Sequence, residues 1–151
     1  MSKISGQVLE LFISKDEQRD RVNKNELLLD ARGVSDDKYY GKNSNRAILI
    51  TSIDSYDLAK KNGIDAPYSS LGENILLDVN PYHLQAGDKI NIGKNITLEI
   101  TQNCTLCSSL SKVDASLPKL LEHDRGIFAK VIDAGVVKKG DIVDFLQIAN
   151  I

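Results

Sequence analysis

Apolar and polar positions run along this chain in short blocks separated by turn residues. Blocks rich in β-branched and aliphatic residues cover Gln7–Ile13, Glu26–Asp30, Arg46–Ile53, Asn74–Val79, Asp88–Ile92, Ile96–Gln102, Ile127–Ile132 and Asp141–Ile148. Each predicts a strand, because such residues fit a pleated, half-buried surface. Helical signals are confined to Ser55–Asn62, which Gly63 ends in a left-handed conformation, and to a stretch around Ser108–His123 interrupted near Pro118. Gly41, Gly72, Asn80-Pro81, Gly87-Asp88, Gly93-Lys94, Gly135 and Gly140-Asp141 supply turns at a spacing that links successive strands tightly. The pattern predicts a mainly β fold, compact and barrel-like, with a few short helices. No repeat, linker or shift in composition divides the chain, so residues 1–151 are expected to form one domain. Ser35–Asn45 has no hydrophobic periodicity apart from its two tyrosines, and a connection of that length is expected to be functional or mobile.

Composition narrows the function classes. The 151 residues are 42% hydrophobic and 26% charged, and a domain of that size buries roughly 68–70% of its unfolded surface. Formal net charge is −2 and no run of Lys or Arg exceeds two residues, which excludes the basic footprint that duplex nucleic acid demands. The amino terminus has no apolar signal core and no stretch approaches a membrane span. A cytoplasmic protein without membrane contact is expected. Two cysteines three positions apart do not make the framework of a small secreted fold, so the sequons at Asn95 and Asn103 are expected to stay unused.

The richest stretch for chemistry is residues 98–110, where a strand runs into a loop carrying Cys104 and Cys107 and a helix is expected to follow. A helix starting near Ser108 would offer unpaired N–H groups to Cys107 and favour its thiolate, the form needed for nucleophilic attack or metal ligation. Cys104 lies farther from that helix end. Several alternatives stay open on spacing alone. The two cysteines suit a dithiol redox pair, although no thioredoxin-like βαβ frame is visible. Cys104, Cys107, His83 and His123 add up to four zinc ligands, although the histidines are isolated. A single thiolate at Cys107 would carry sulfur or ligate a soft metal. Both sulfurs would also suit plain burial.

An ordered series of blocks then bears on the choice. It comprises Gly33-Val34-Ser35-Asp36-Asp37-Lys38, Arg46 before Ile48-Leu49-Ile50-Thr51, Gly72-Glu73-Asn74-Ile75 and Leu84-Gln85-Ala86-Gly87-Asp88-Lys89-Ile90. Gly93, Leu98-Glu99-Ile100-Thr101-Gln102, Cys107, Asp124-Arg125-Gly126-Ile127-Phe128-Ala129-Lys130-Val131, Gly135 and Gly140-Asp141 complete it. In order and separation the series resembles the MOSC domain, the C-terminal domain of molybdenum-cofactor sulfurases, over nearly the full chain. The resemblance implies a β-barrel, binding of the molybdenum cofactor (molybdopterin), and a role for Cys107 as metal ligand or persulfide site.

For the cofactor's phosphate the resemblance makes Arg46, Lys38 and Arg125 the candidate cations, with Gly126 allowing close backbone approach. Glu73 and Asn74 become candidates for pinning a loop or meeting the pterin, with pinning favoured, and Asn103 joins them from the cysteine loop. Asp88 and Asp141 read as turn residues. Where family members often carry Pro-Arg-x-Pro-Cys, this chain has Asn103-Cys104-Thr105-Leu106-Cys107, a loop without the prolines or the cation. Asp36-Asp37 replaces the usual Gly-Asp.

The implied activities are those of a molybdenum-dependent oxidoreductase acting on N-hydroxylated substrates, or of a pyridoxal-phosphate-independent sulfur carrier. A carrier would need a separate cysteine desulfurase or a molybdoenzyme as partner. A non-catalytic binding module and a dithiol redox protein using Cys104 and Cys107 are the alternatives.

Overall fold

The computed structural model describes residues 2–15, 21–104, 114–121 and 125–147. Cys107, His123 and Asp124 lie outside them. The strands are β1 (Ser2–Ile13), β2 (Val22–Lys24), β3 (Glu26–Asp30), β4 (Gly33–Val34), β5 (Ile48–Ser52), β6 (Ile75–Leu77), β7 (Lys89–Ile92), β8 (Ile96–Asn103), β9 (Ile127–Asp133), β10 (Gly135–Lys138) and β11 (Ile142–Gln147). They are joined by helices α1 (Ile53–Lys61) and α2 (Leu117–Leu120) and a 3-10 turn at Ser44–Arg46.

Neighbouring strands run in the order β11-β7-β8-β9-β5-β6-β1, and β1 pairs back onto β11 from Ser2↔Gln147 to Gln7↔Ile142. The result is a closed seven-stranded barrel, which leaves the ring itself without an open edge. β2 extends β1 on one side, and β10, β3 and β4 form a small separate sheet. β5 and β6 are parallel, while the other pairs in the ring are antiparallel.

Alternation explains why these segments are strands. In β7 and β8 the buried positions recur every second residue, so Ile90, Ile92, Ile96, Leu98 and Ile100 enter the barrel while Lys89 and Asn91 face solvent. Val8, Ile48, Ile50, Ile75, Leu77, Ala129 and Val143 belong to the same core. Each fully buried aliphatic side chain contributes roughly 1.5–3 kcal/mol relative to exposure. A second cluster lies against the other side of β6, where Leu76 meets Tyr56 and Ala59 of α1, Ile64, Leu71, and Leu117 and Leu121 at α2.

β5 is buried at all five positions because it is covered on both faces. Ile48 and Ile50 fill the barrel. Leu49, on the opposite face, packs with Cys104 and Phe128.

Every predicted strand is observed: β1, β8 and β9 run beyond the predicted bounds, β3 matches them, β5, β6 and β7 are shorter, and β11 starts one residue later, with Ile148 outside the described residues. Arg46 is the clearest difference: Asn43 caps the turn Ser44–Arg46 through its side chain, Oδ1 accepting from Asn45 N–H at 3.0 Å, so the strand starts at Ile48. The pattern missed β2, β4 and β10. α1 is capped by Ser52 at 3.1 Å and ends at Gly63, whose φ of +74° is the left-handed conformation expected of it. Pro118 falls in the first turn of α2, where its missing N–H breaks no bond. Residues 35–45 are held by Asp37, which is buried and accepts from Ser14 N–H at 2.6 Å and Tyr39 N–H at 3.1 Å. No helix among the described residues is long and apolar enough to cross a membrane.

Candidate functional site

Arg46 stands at one end of the barrel and is exposed. Its guanidinium carbon lies 5.4 Å from the centre of the Phe128 ring, a cation–π arrangement. With the Gln102 amide oxygen turned towards it, the oxygen accepts from Arg46 Nε at 2.9 Å and from Nη2 at 3.1 Å. The register of β8 against β9 shifts between Ile100 and Gln102. Such a shift leaves one residue out of the ladder. Thr101, between them, turns its hydroxyl to the Asn45 and Phe128 carbonyls, the latter at 3.2 Å. Two consecutive residues of β8 therefore fix the Arg46 turn.

Beneath Arg46, Phe128 packs with Leu49 and Cys104. Cys104 is buried, and its N–H donates to the Gly126 carbonyl at 2.9 Å. Arg125 is also buried, and its Nη1 donates to Cys104 Sγ. Cys104 and the segment before β9 are thus joined through both main chain and side chain. The sequence suggests that Gly126 serves approach by a ligand. In the fold, a Cβ there would stand 3.1 Å from the Ile50 carbonyl and 3.1 Å from Leu49 Cδ1. The missing side chain lets this segment lie against β5.

Glu73 and Asn74 enter β6 as buried polar residues. Asn74 Oδ1 accepts from Leu49 N–H at 3.1 Å, and Nδ2 donates to the Phe12 carbonyl at 3.2 Å. This is loop and strand pinning, the favoured expectation for the pair. Glu73 Oε2 accepts from the Tyr56 hydroxyl and from Thr51 Oγ1 at 2.8 Å, while Oε1 has no hydrogen-bond partner among the described residues. Burial pushes the Glu73 carboxyl above its usual range, opposed by the Tyr56 and Thr51 hydrogen bonds and by the charge of Arg21. Burial and the Glu73 carboxylate together push the Tyr56 phenol upward.

Arg46, Cys104, Arg125 and Gly126 are brought together, with Asn103 exposed at the end of β8 directly before Cys104. Lys38 is placed differently. Its Nζ lies 5.1 Å from the centre of the exposed Tyr39 ring, which Lys42 also approaches at 5.9 Å. His83 is exposed and its ring borders Phe145 at 5.7 Å. Among the described residues no group of three His, Cys, Asp or Glu is placed to hold a metal. Asp88 and Asp141 accept from the N–H groups of Gln85 and Lys138, each at 2.8 Å, as turn residues do.

Three residues of this region escape the sequence pattern: Arg21, Thr51 and Tyr56. A carboxylate at Glu73 inside an apolar run does call for buried donors, but nothing local says which residues supply them.

A family model for the MOSC domain matches residues 36–144. The chain belongs to the MOSC family. Solved structures agree on the MOSC fold. The YuaD protein of Bacillus subtilis superimposes with a TM-score of 0.79 at 20% identity, covering 97% of this chain and 99% of that one. YiiM of Geobacillus stearothermophilus gives 0.74 at 16% identity, covering 94% and 75%. YiiM of Escherichia coli gives 0.66 at 17% identity, covering 97% and 71%. No match is found among curated proteins. The MOSC match takes in Arg46, Glu73, Asn74, Cys104, Cys107, Arg125 and Gly126, and Arg21 lies before its first residue.

Proposed function

We propose that this MOSC domain binds the molybdenum cofactor at the end of the barrel marked by Arg46 and Phe128, with Cys107 as molybdenum ligand or persulfide site. The carrying observation is the exposed guanidinium of Arg46, laid on the Phe128 ring and oriented by Gln102 at the point where β8 leads into the cysteine segment. Gln102 uses Nε and one edge of Nη2, which leaves donors for a phosphate oxygen. A fixed, planar guanidinium suits that oxyanion better than a mobile ammonium. The donor set therefore fits the cofactor's phosphate end.

Chain length supports the assignment of Cys107, since three residues span at most about 11 Å from Cys104. A thiolate there suits a soft metal. When bound, the cofactor supplies the redox chemistry of molybdenum, including reduction of N-hydroxylated compounds. Arg46 binds its phosphate and Phe128 covers one side of the site.

As a sulfur carrier, the Cys107 thiolate would attack the terminal sulfur of a persulfide on a separate cysteine desulfurase. One S–S bond forms on Cys107 and one breaks on the donor, whose cysteine leaves as a thiolate. A molybdoenzyme would receive the sulfur.

The test is the molybdenum and pterin content of protein purified from a cofactor-producing host. Wild type should carry both, Cys107→Ser should lose the metal or the persulfide mass, and Arg46→Ala should lose pterin. Wild-type protein with neither pterin nor a sulfur adduct would overturn the reading.

A further inference from the structure

Arg21 precedes β2 and is half-buried. A guanidinium carries five N–H donors, yet Arg21 makes a single hydrogen bond among the described residues, a long one from Nη1 to the Glu73 carbonyl at 3.4 Å. It forms no ion pair within 4.0 Å there. The described ion pairs are Lys3–Asp144, Lys130–Glu99 and Lys139–Glu10.

Two carboxylates nonetheless face it. Asp37 and Glu73 attract the guanidinium and partly offset the effect of burial, which lowers its hold on the proton. Three of their four oxygens are engaged elsewhere: Asp37 accepts from Ser14 N–H and Tyr39 N–H, and Glu73 Oε2 accepts from Tyr56 and Thr51, while Glu73 Oε1 takes no hydrogen bond from Arg21 or from any other described residue. Asp37 and Glu73 therefore set the position of the charge without using its donors. An ordinary buried ion pair would spend both partners on each other.

Gly72 marks where Nη2 lies. A Cβ at Gly72 would lie 3.7 Å from Arg21 Nη2 and 3.8 Å from Leu49 Cδ2. Leu49 is the residue that packs with Cys104 and Phe128. Arg21 Nη2 thus stands across the open space at Gly72 from Leu49, a member of the apolar cluster that Arg46 covers through Phe128 and that Arg125 meets at Cys104. Guanidiniums from three distant stretches of chain converge on one cluster of three side chains. Gly72 leaves the space between Arg21 and Leu49 clear of a side chain.

We propose that Arg21 is an anion-binding residue of this site, its free donors taking a phosphate monoester or diphosphate oxygen together with Arg46. This rests on the cofactor reading above and adds a residue to it.

Titration calorimetry of the purified chain with inorganic pyrophosphate, and pterin content after production in a cofactor-making host, form the two arms of the test. Arg21→Gln should weaken pyrophosphate binding at least fivefold and flatten its salt dependence, whereas Arg32→Gln, at an exposed turn position, should leave both unchanged. Arg21→Lys, a cation without the planar fork, should fall between wild type and Arg21→Gln. Loss in both arms assigns the residue to the phosphate end of the pterin, and loss in the pyrophosphate arm alone assigns it to a free oxyanion. Wild-type affinity in Arg21→Gln, with Arg46→Gln weakened, would overturn the role of Arg21 and leave the cofactor reading standing. Wild-type protein that takes up neither pyrophosphate nor pterin would overturn both. Loss of the cooperative thermal transition in Arg21→Gln would make Arg21 a structural residue and also end the proposal.

Discussion

Tyr56 and Glu73 meet inside the protein, the phenol hydroxyl donating to Oε2 while the same hydroxyl oxygen accepts from the N–H groups of Ser69 at 3.1 Å and Leu71 at 3.4 Å. One side chain of α1 thereby ties the loop before β6 to a carboxyl group at its end. Removing the hydroxyl leaves several buried polar groups short of a partner. Tyr56→Phe should lower stability by about 1–3 kcal/mol, the usual penalty for a buried group left unpaired. Urea denaturation measures this directly, and an unchanged midpoint would show that the network contributes nothing.

The pH dependence of stability should carry the mark of Glu73. Its folded-state pKa lies above the usual 4.5, burial being the main cause. The native state therefore holds this proton more tightly than the unfolded chain does. The resulting contribution is complete below the unfolded value and is lost as pH rises through the raised folded value. Glu73→Gln removes that loss, so its stability relative to wild type should improve from about pH 4.5 upward. Parallel profiles for the two proteins would contradict this assignment.

Arg46 and Arg125 should separate in their effects. Both are candidate cations in the sequence, where the glycine that follows Arg125 favours it over Arg46 as a ligand residue. The fold exposes Arg46 and buries Arg125 against Cys104. Arg46→Ala should change stability by less than about 0.5 kcal/mol while weakening cofactor retention. Arg125→Ala should cost at least about 1.5 kcal/mol of stability, because it removes a buried charge-assisted hydrogen bond. Denaturation of the two variants side by side tests the division.

Cys104 should resist chemistry in the native state. It is 3% exposed, and a thiol can be alkylated only where reagent reaches it. In a Cys107→Ser background, iodoacetamide at neutral pH should leave the remaining thiol unlabelled until denaturant is added. Rapid native labelling would show that the Leu49–Cys104–Phe128 cluster opens readily.

Deleting β11 should abolish cooperative unfolding. β11 pairs with both β1 and β7 and supplies Val143 and Phe145 to the core. Its loss would open the ring and expose two strand edges. A retained sharp thermal transition in the truncated chain would refute this.

Local patterning carried most of the fold. Glu26–Asp30 is found as β3 with the alternation its side chains imply. Non-local contacts account for the misses. β10 carries just two valines after a glycine and becomes a strand through pairing with β3 from Gly135↔Leu29 to Lys138↔Glu26. Arg46 looks like the first residue of a strand until the Asn43 cap is seen. At the site, Glu73 and Asn74 were legible only through the resemblance, as part of the block Gly72-Glu73-Asn74-Ile75. Arg21 sits in a charged stretch, and its neighbours Asp37, Glu73 and Gly72 lie far along the chain. No pattern of short period could pair them.

The count of strands in the ring has a consequence of its own. Strand directions can alternate all the way round a closed ring only when the number is even. A ring of seven must contain at least one mismatched seam, and here the mismatch lies where β5 runs alongside β6. Two strands pointing the same way cannot be joined by a hairpin and need a return path of a dozen residues or more. Residues 53–74 are that path. They carry α1, Tyr56, Gly72, Glu73 and Asn74 to the end of the barrel where Arg46 stands. Parity therefore obliges this molecule to keep a long detour beside its candidate site, and shortening the detour would strand β6 on the wrong side of the ring.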